Sequence, residues 1–394
     1  MSVRKIKVGV FSVGVNHWDR RLFDEVIPLP NGTSYNSYLI FGSEKVVLVD
    51  TVDPMLQPEF LENLKEFKDL KIDYVVALHA EQDHSGSIPK ILEIFKEAKV
   101  VTNEKCKELL IEHLHIDEAR VIVVQDGEKL SLGDKTLTFI LTPWVHWPET
   151  MSVLLNEDKI LFTCDFFGSH YATSELFAGH DPLILEAAKR YYAEIMMPFR
   201  SFIKSDLKKL ENFTFDMIAP SHGPVWDDPH FIMDAYKEWI SDSVNNKVLI
   251  PYASMHGSTK VLVDRLIDRL TEKGIEVVPF NLIVSDLGSI AINMVDAATI
   301  VLAFPTVLTG PHPLGAYITF FANMLRPKTK FVAVITSFGW GGTTIDWVKA
   351  HTKNLKVEIL AGIEVKGLPY EKDLEEIDAL ADKIELAHKS IGIL

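Results

Sequence analysis

Strand–helix alternation after residue 246 constrains the fold of this chain more than any other feature of its sequence. Five apolar runs of strand length are each followed by a run of helical length within residues 247–394. Parallel strands need a long crossover, usually a helix, so this alternation predicts one parallel, doubly wound α/β sheet. The predicted strands and helices are, in alternation, Val248–Ala253, Thr259–Lys273, Ile275–Pro279, Gly288–Val295, Thr299–Ala303, Gly315–Leu325, Phe331–Ile335, Gly342–His351, Val357–Ile363 and Asp373–Ser390.

Residues 1–246 follow a different pattern, in which many short strands succeed one another with some helices between them. The predicted strands are Val8–Ser12, Ser37–Ile40, Val46–Val49, Tyr74–Leu78, Val121–Val124, Thr136–Leu141, Met151–Leu155 and Lys159–Thr163. The turn signal Asn156-Glu-Asp158 predicts that the last two strands form a hairpin. Such strands favour an α+β arrangement of stacked sheets with helices outside. The polar stretch 241–247 is the expected junction, which gives domains 1–246 and 247–394.

Charge and composition exclude several classes of partner. A formal charge of −15 argues against nucleic acid and against an anionic membrane surface, both of which favour basic proteins. No apolar run reaches the roughly 18 residues of a membrane span, and the amino terminus lacks the apolar core of a signal peptide. Cys106 and Cys164 show neither a metal-binding spacing nor a disulfide framework, so a cytoplasmic location is expected.

Four potential metal ligands lie within six residues, directly after the apolar run Tyr74–Leu78. They are His79, Glu81, Asp83 and His84. The apolar run is typical of a buried strand, so the ligands are expected on a loop at its C-terminal end. This density favours a metal site over a charged turn, and four ligands so close together indicate two metals side by side.

Three later segments carry further candidate ligands, each after an apolar stretch. His146 stands between Trp144 and Trp147, which are expected to bury its imidazole unless a metal binds it. Asp165 ends the apolar run before it, where a carboxylate is costly without a cation and can bridge two metals. His222 follows another short apolar stretch. Any one of them could be a hydrogen-bonded histidine or a capping aspartate, but four strand-end loops of this kind favour one shared site.

The histidine-rich cluster, the later histidine, the strand-end aspartate and the final Ser-His-Gly resemble the metallo-β-lactamase fold. Hydrolases of that fold usually carry His-x-His-x-Asp-His and bind zinc, whereas this chain has Glu81 at the position of the second histidine. A carboxylate there shifts the preference from zinc toward iron or manganese. Together with residues 247–394, the pattern resembles the flavodiiron proteins over essentially the whole chain. The resemblance implies a metallo-β-lactamase-like αββα sandwich followed by a flavodoxin-like sheet.

The resemblance also implies two iron ions per chain, bridged by Asp165. Their other ligands would be His79, Glu81 and His146 for one ion, and Asp83, His84 and His222 for the other. His84 is a position at which members of the family differ in whether it coordinates. His170, Tyr191 and Tyr192 are candidates for proton donors beside the metals, although a histidine and two tyrosines in an ordinary core explain them equally well.

Three loops at strand ends in residues 247–394 resemble the FMN-binding loops of flavodoxins. The first opens a helix and offers hydroxyl and N–H groups to a phosphate. It lacks both Gly-Lys-Ser/Thr and Gly-x-Gly-x-x-Gly, which excludes a triphosphate loop and disfavours a dinucleotide. An ordinary tight turn could explain either of the other two. The residues expected to contact FMN are Ser254, Met255, His256, Gly257, Ser258, Thr259, Pro305, Thr306, Val307, Leu308, Ser337, Phe338, Gly339, Trp340 and Gly341.

Together the two predicted sites indicate an oxidoreductase that reduces dioxygen to water, nitric oxide to nitrous oxide, or both. A flavin and a di-iron pair hold two electrons each, and dioxygen needs four to become two waters. The resemblance implies a head-to-tail homodimer or dimer of dimers. It also implies a separate electron donor, rubredoxin or a reduced flavin or deazaflavin, since the chain has no Cys-x-x-Cys pair. Two alternatives stay open: a zinc-dependent hydrolase with a flavin-binding regulatory module, and a flavodoxin-like carrier with a docking scaffold.

Overall fold

The computed structural model describes residues 3–394, and the contacts within it divide the chain into two compact units. The first comprises Met1–Tyr192 and Phe199–Ile240, and the second comprises Ala193–Pro198 and Ser241–Leu394. The boundary that the sequence predicts between residues 246 and 247 falls inside a strand of the second unit. Among the described residues, no helix combines the length and the apolar character that crossing a bilayer requires.

The first unit contains two large sheets. Its strands are, in chain order, β1 Arg4–Lys7, β2 Val10–Ser12, β3 Val15–His17, β4 Leu22–Phe23, β5 Ile27–Pro28, β6 Thr33–Tyr35, β7 Tyr38–Phe41, β8 Val46–Val49, β9 Tyr74–Val76, β10 Lys99–Thr102, β11 Val121–Val123, β12 Lys129–Ser131, β13 Thr136–Leu141, β14 Met151–Leu155, β15 Ile160–Cys164 and β16 Met217–Pro220. The seven-stranded sheet has the order β1-β2-β7-β8-β9-β10-β11, and the five-stranded sheet has the order β12-β13-β14-β15-β16. Two small ribbons pair β3 with β6 and β4 with β5.

The core of the first unit lies between these sheets and between the larger sheet and its helices. The helices are α1 Gln57–Lys65, α2 Gln82–Ser85, α3 Ile88–Ile94, α4 Glu104–Leu114, α5 Pro182–Tyr191, α6 Arg200–Leu210 and α7 Pro229–Ile240. One buried cluster joins Val47 and Val76 of the seven-stranded sheet to Phe139 and Val153 of the five-stranded sheet. A second cluster packs Phe60 of α1 against the outer face of the larger sheet. This layering confirms the stacked sheets that the sequence predicts.

Two strand predictions in this unit need correction and one is confirmed. The run Val8–Ser12 is not one strand, because the chain turns at Gly9, whose φ is +74°, and β1 then pairs antiparallel with β2. Strand β9 ends at Val76, earlier than predicted, and the chain leaves the sheet before it reaches the histidine cluster. Strands β14 and β15 form the predicted hairpin, with Leu155 opposite Ile160.

The second unit is built on one parallel five-stranded sheet. Its strands are β17 Asn245–Tyr252, β18 Glu276–Asn281, β19 Ala297–Ala303, β20 Thr306–Val307, β21 Gly310–Pro311, β22 Phe331–Phe338 and β23 Glu358–Lys366. Its helices are α8 Ser258–Glu272, α9 Leu287–Met294, α10 Pro313–Leu325, α11 Thr344–His351 and α12 Glu371–Ser390. The sheet order β18-β17-β19-β22-β23 is the 2-1-3-4-5 order of flavodoxin-like folds, as the alternation predicts. Strands β20 and β21 form a small hairpin that the sequence did not predict.

A buried histidine in α12 should make the stability of the second unit depend on pH. The Nδ1 of His388 donates to Asn246 Oδ1 at 2.7 Å, and its Nε2 accepts from Thr299 Oγ1 at 2.8 Å. Burial lowers the pKa of His388 from 6.5 to about 4. Below pH 6.5 the unfolded chain therefore binds a proton that the folded chain does not bind. The stability is complete above about pH 6.5 and is lost as the pH falls toward 4.

We expect His388→Gln to remove this part of the pH dependence. The difference between the free energies of unfolding at pH 7.5 and pH 5.5 should shrink by about 1 kcal/mol, after allowance for solvent screening. Urea titrations of the full chain at the two pH values measure it. The exposed His351 of the same unit provides the control variant His351→Gln, which should keep the wild-type pH dependence. An unchanged pH dependence in His388→Gln would contradict the assignment.

Candidate functional site

Five segments of the first unit bring histidines and carboxylates to one place. The predicted metal ligands are carried by the loop after β9 (His79 and Glu81), by α2 (Asp83 and His84), by the loop before β14 (His146), by the residue after β15 (Asp165) and by the loop after β16 (His222). Asp83 and His84 lie on a short helix and not on the predicted loop, because the chain becomes helical at Gln82. Of the seven, His79, Asp83, His84, Asp165 and His222 are buried, while Glu81 and His146 are partly exposed.

The first half-site consists of His79, Glu81 and His146. The Nε2 atoms of the two histidines lie 3.1 Å and 3.3 Å from Glu81 Oε2, respectively. The same two nitrogens lie 3.6 Å and 3.4 Å from Asp165 Oδ2. All four residues offer one ligand atom each within 4.8 Å of one another, so they can hold a single metal ion.

The second half-site consists of Asp83, His84 and His222. The Nε2 of His84 lies 3.3 Å from Asp83 Oδ1, and the Nε2 of His222 lies 3.1 Å from Asp83 Oδ2. Asp165 reaches this half-site through its other oxygen, since its Oδ1 lies 3.0 Å from His84 Nε2 and 3.3 Å from His222 Nε2. The two oxygens of Asp165 therefore face different half-sites, which is the arrangement that a bridging ligand requires.

The donor atoms fit a pair of metal ions. Both carboxylate oxygens of Asp83 and the Nε2 of His84 are buried and lie close to other ligand atoms, yet none of them makes a hydrogen bond of regular geometry. Buried polar atoms are rarely left in that state, and cations between the converging lone pairs would satisfy them. Each half-site has two imidazoles and one carboxylate, the ligand set that non-haem iron prefers. The cluster is therefore suited to two iron ions that share Asp165.

The carboxylates and imidazoles of the cluster shift one another's pKa values. Burial alone would lower the pKa of His222, but the carboxylates of Asp165 and Asp83 beside it raise it to about 10. Burial likewise opposes protonation of His146, yet Asp165 and Glu81 raise its pKa to about 9. Burial disfavours an ionised Asp165, but the histidines around it hold its pKa well below the ordinary value. Because metal ions would replace the imidazole protons, metal binding should release protons.

His146 is covered by only one of its neighbouring tryptophans. The Trp147 ring lies 4.9 Å from the His79 ring and 6.3 Å from the His146 ring. Trp144 is 40% exposed, and its ring stacks on the ring of Phe199 with 6.4 Å between the centroids. The expectation that both tryptophans bury His146 is therefore wrong for Trp144.

The predicted proton donors lie in different environments. The Tyr191 hydroxyl donates to Asp165 Oδ1 at 2.8 Å. The His170 ring lies 4.8 Å from the Tyr191 ring, and burial together with the charge of His222 lowers the pKa of His170 well below its ordinary value. The Tyr192 hydroxyl points elsewhere and donates to the Trp239 carbonyl at 3.4 Å. The structure thus brings Tyr191 and His170 to the metal cluster but not Tyr192.

Three buried residues beside the cluster were missed by the sequence reasoning. Glu149 accepts a hydrogen bond from His79, and Cys164 offers a sulfur close to His84 and Asp165. Asp50 accepts hydrogen bonds from the Leu78 N–H and the Ser221 hydroxyl, which tie the ends of β9 and β16 together. Asp50 follows the apolar strand β8 just as Asp165 follows β15, so the same signal could have found it.

In the second unit, the predicted loops line a cavity of about 380 Å³. This volume lies within the range of small-molecule sites. The lining residues are Ser254, Met255, His256, Ser258, Pro305, Thr306, Ser337, Phe338, Gly339, Trp340 and Gly367. Five predicted contacts are not among them, namely Gly257, Thr259, Val307, Leu308 and Gly341. Thr259 is buried beneath the cavity, bonded to the Ser337 hydroxyl at 2.9 Å, and Leu308 is 85% exposed. Gly367, at the end of β23, was missed.

The loop before α8 offers polar groups for a phosphate. Gly257 caps the helix with a φ of +93°, and Ser254 Oγ accepts from the Gly257 and Lys260 N–H groups at 3.2 Å and 3.3 Å. The Lys260 ammonium pairs with Asp264. No Lys or Arg lines the cavity, so helix N–H groups and hydroxyls would neutralise a phosphate there. A flavin mononucleotide fits this donor set.

A beta-lactamase-like sandwich with a cluster of metal-ligating side chains and a flavodoxin-like sheet, both in one chain, define a class of two-part oxidoreductases. The family model for "ODP family beta lactamase" matches residues 33–223. The nitric oxide reductase of Moorella thermoacetica is 35% identical over 388 residues, which cover 95% of this chain and 96% of that protein. The chain belongs to the flavodiiron protein family.

Solved structures agree with this assignment. Rubredoxin oxygen:oxidoreductase from Desulfovibrio gigas superposes with a TM-score of 0.94 at 30% identity and covers 99% of both chains. The flavodiiron protein from Giardia intestinalis superposes with a TM-score of 0.90 at 28% identity and covers 99% of this chain and 98% of its own. The fold predicted from the sequence, a metallo-β-lactamase-like sandwich followed by a flavodoxin-like sheet, is confirmed.

Proposed function

We propose that this flavodiiron protein binds two iron ions and one FMN, and that it reduces dioxygen to water, nitric oxide to nitrous oxide, or both. The observation that carries the proposal is the pair of half-sites, each with two histidines and one carboxylate, joined by the two oxygens of Asp165. The names of similar proteins, a nitric oxide reductase and a rubredoxin oxygen:oxidoreductase, support these two gases. Residues 1–246 as the di-iron domain and 247–394 as the FMN domain stay predictions.

Iron and FMN, when bound, supply the electrons, and the protein supplies ligation, exclusion of water and protons. Reduction of either gas consumes protons in an almost wholly buried site. Tyr191 is placed to relay one through its hydrogen bond to Asp165 Oδ1 at 2.8 Å, while burial and the charge of Asp165 raise the pKa of its hydroxyl well above the ordinary value. The hydroxyl therefore stays protonated and aimed at Asp165. His170 lies beside Tyr191, and its Nδ1 bonds to the Thr33 hydroxyl at 2.9 Å.

Tyr191→Phe should lower the turnover of the reduced gas by about 10- to 100-fold, because it removes one proton donor and leaves the metal ligands in place. Iron and flavin contents should stay at the wild-type level. The loss should be similar at every pH from 6 to 9, because the Tyr191 hydroxyl stays protonated across this range. Tyr192→Phe is the matched control, since the Tyr192 hydroxyl bonds to the Trp239 carbonyl and no ligand. Equal rates for Tyr191→Phe and Tyr192→Phe would contradict the role of Tyr191.

The function is tested with iron-reconstituted protein, FMN and a chemically reduced donor, mixed under anaerobic conditions before a measured amount of each gas is added. Consumption of dioxygen and of nitric oxide should be measured separately, together with iron and flavin per chain. Consumption of one or both gases, with about two irons per chain, is the expected result. Iron-loaded, flavin-containing protein that consumes neither gas would refute the proposal.

Zinc-dependent hydrolysis is the alternative function that the same fold offers. Glu81 at the position of a histidine makes the first half-site harder and more anionic than a zinc site of that fold. The oxidoreductase names of similar proteins do not favour the hydrolase. Metal analysis separates the two: zinc without iron, together with cleavage of a thiolester or a lactam, would establish hydrolysis.

The electron donor and the assembly remain predictions of the family resemblance. Rubredoxin is the first donor to test, because one similar structure is named for it, and a reduced flavin or deazaflavin is the second. A head-to-tail homodimer or dimer of dimers is expected, and analytical ultracentrifugation measures it. A cytoplasmic location is in keeping with Cys106 and Cys164, which are both free thiols.

A further inference from the structure

Glu149 is a buried carboxylate that contacts a ligand imidazole on the side away from the metals. Its Oε1 accepts from His79 Nδ1 at 2.6 Å and from the Ala80 N–H at 3.1 Å. Asn103 Nδ2 donates to the Glu149 carbonyl at 2.5 Å, which fixes the backbone at this position. Glu149 is only 2% exposed, so solvent does not compete for its hydrogen bond with His79.

This contact determines which nitrogen of His79 is free for a metal. An ionised carboxylate can only accept, so Nδ1 carries the proton. The other nitrogen, Nε2, then points to the place shared with Glu81 and Asp165, where a metal ion would replace its proton. A carboxylate partner also makes the imidazole a stronger base and stops the ring from turning. Glu149 therefore holds the ring of His79 in the orientation that directs Nε2 at the metal position.

The second half-site lacks an equivalent carboxylate among the described residues. His222 Nδ1 donates at 2.7 Å to the carbonyl of Ser34, which is neutral. His84 is more poorly supported, since its Nδ1 is buried and has no hydrogen-bond partner. The imidazoles of the two half-sites are thus held unequally, although their ligand types are the same.

We propose that Glu149 is a positioning residue that makes the first half-site bind its metal before the second half-site and more tightly. The proposal rests on the proposed function in one respect, namely that the cluster holds two metal ions. It concerns the order and the affinity of loading, which the proposed function leaves open. Glu149 is not among the side chains that converge on either metal position, and it acts only through His79.

Cobalt(II) titration of the metal-free full chain tests the proposal, with calorimetry for affinity and visible absorption for coordination. The wild-type chain should bind cobalt in two resolved phases. Glu149→Ala should weaken the tighter phase by about 10- to 100-fold and leave the weaker phase unchanged. Glu149→Gln keeps an acceptor of the same shape without the charge, and should give a smaller loss in the same phase. Circular dichroism shows whether each variant is folded.

Asp50 provides the matched control, because it is an equally buried carboxylate beside the cluster. It accepts from the Leu78 N–H and the Ser221 hydroxyl, not from a ligand imidazole. Asp50→Asn should keep the tighter phase near its wild-type affinity. A single phase in the wild-type chain, equal weakening of both phases in the Glu149 variants, or the same loss in Asp50→Asn would each overturn the proposal. A folded wild-type chain that binds no metal would instead overturn the proposed function.

Discussion

Replacing Asp165 with alanine should abolish gas reduction while FMN stays bound. One oxygen of Asp165 lies 3.0 Å and 3.3 Å from His84 and His222, and the other lies 3.6 Å and 3.4 Å from His79 and His146. Without it, two metal ions would face each other with no anion between them. Metal affinity should fall by at least about 100-fold, the upper end of what residues outside the ligand set contribute. Turnover with a reduced donor, iron per chain and flavin absorbance measure the result.

Two further variants show whether this effect belongs to the bridging position. Asp216→Ala removes an exposed carboxylate that only approaches Lys159 at 3.7 Å, and it should change neither iron content nor turnover. Asp165→Asn keeps the shape but loses the charge, and it should also lose iron. Substantial turnover in Asp165→Ala would favour a flavodoxin-like electron carrier whose first unit is only a docking scaffold.

The central strands of the second unit could be predicted from sequence because they are buried on both faces. All residues of β19, Ala297–Ala303, are buried, so the apolar run in the sequence and the strand in the structure nearly coincide. Strand β17 extends further than its apolar run, to Asn245, which pairs with Ala297 of β19, and the polar Asn246 is bonded to His388 from α12. A partner 142 residues away leaves no local signal for such an extension.

The first unit could be predicted only where its signals are local. The ligands from His79 to His84 are close in sequence, and their density alone indicates a metal site. The ribbon of β3 and β6 escaped prediction, because Asn16 and Thr33 are polar and pairing between distant short strands defines both strands. Glu149 escaped for a related reason: it lies 70 residues from His79, and only the fold brings them together.

The separation of the tyrosines shows the same limit at the level of single side chains. Tyr191 and Tyr192 are adjacent in sequence and both fully buried, so composition and hydropathy treat them alike. The end of α5 turns their hydroxyls in different directions, one to Asp165 and the other to Trp239. Which tyrosine meets the metals therefore depends on the geometry of one helix end, which a pattern of residue types does not encode.

Valine at Gly257 should release FMN while leaving the metal cluster intact. Gly257 has a φ of +93°, a conformation that β-branched residues rarely adopt, and it begins the helix expected to hold the phosphate. An added Cβ would meet no atom within 4 Å, so the effect arises from backbone strain and not from a clash. Strain of about 1–3 kcal/mol should reorient the loop and weaken FMN binding by about 10- to 100-fold. Flavin fluorescence on dilution measures the dissociation constant, and iron content should stay unchanged.

Gly274 offers a matched control at the opposite end of the same helix. Its φ is +72°, an added Cβ would again meet no atom within 4 Å, and it does not line the cavity. Gly274→Val should therefore lower the melting temperature about as much as Gly257→Val, yet leave the dissociation constant of FMN unchanged. If both variants lost FMN equally, the stability of the fold alone would control how well FMN is retained. If Gly257→Val bound FMN with wild-type affinity, the phosphate would have to lie away from the start of α8, because that helix end depends on the positive φ of Gly257.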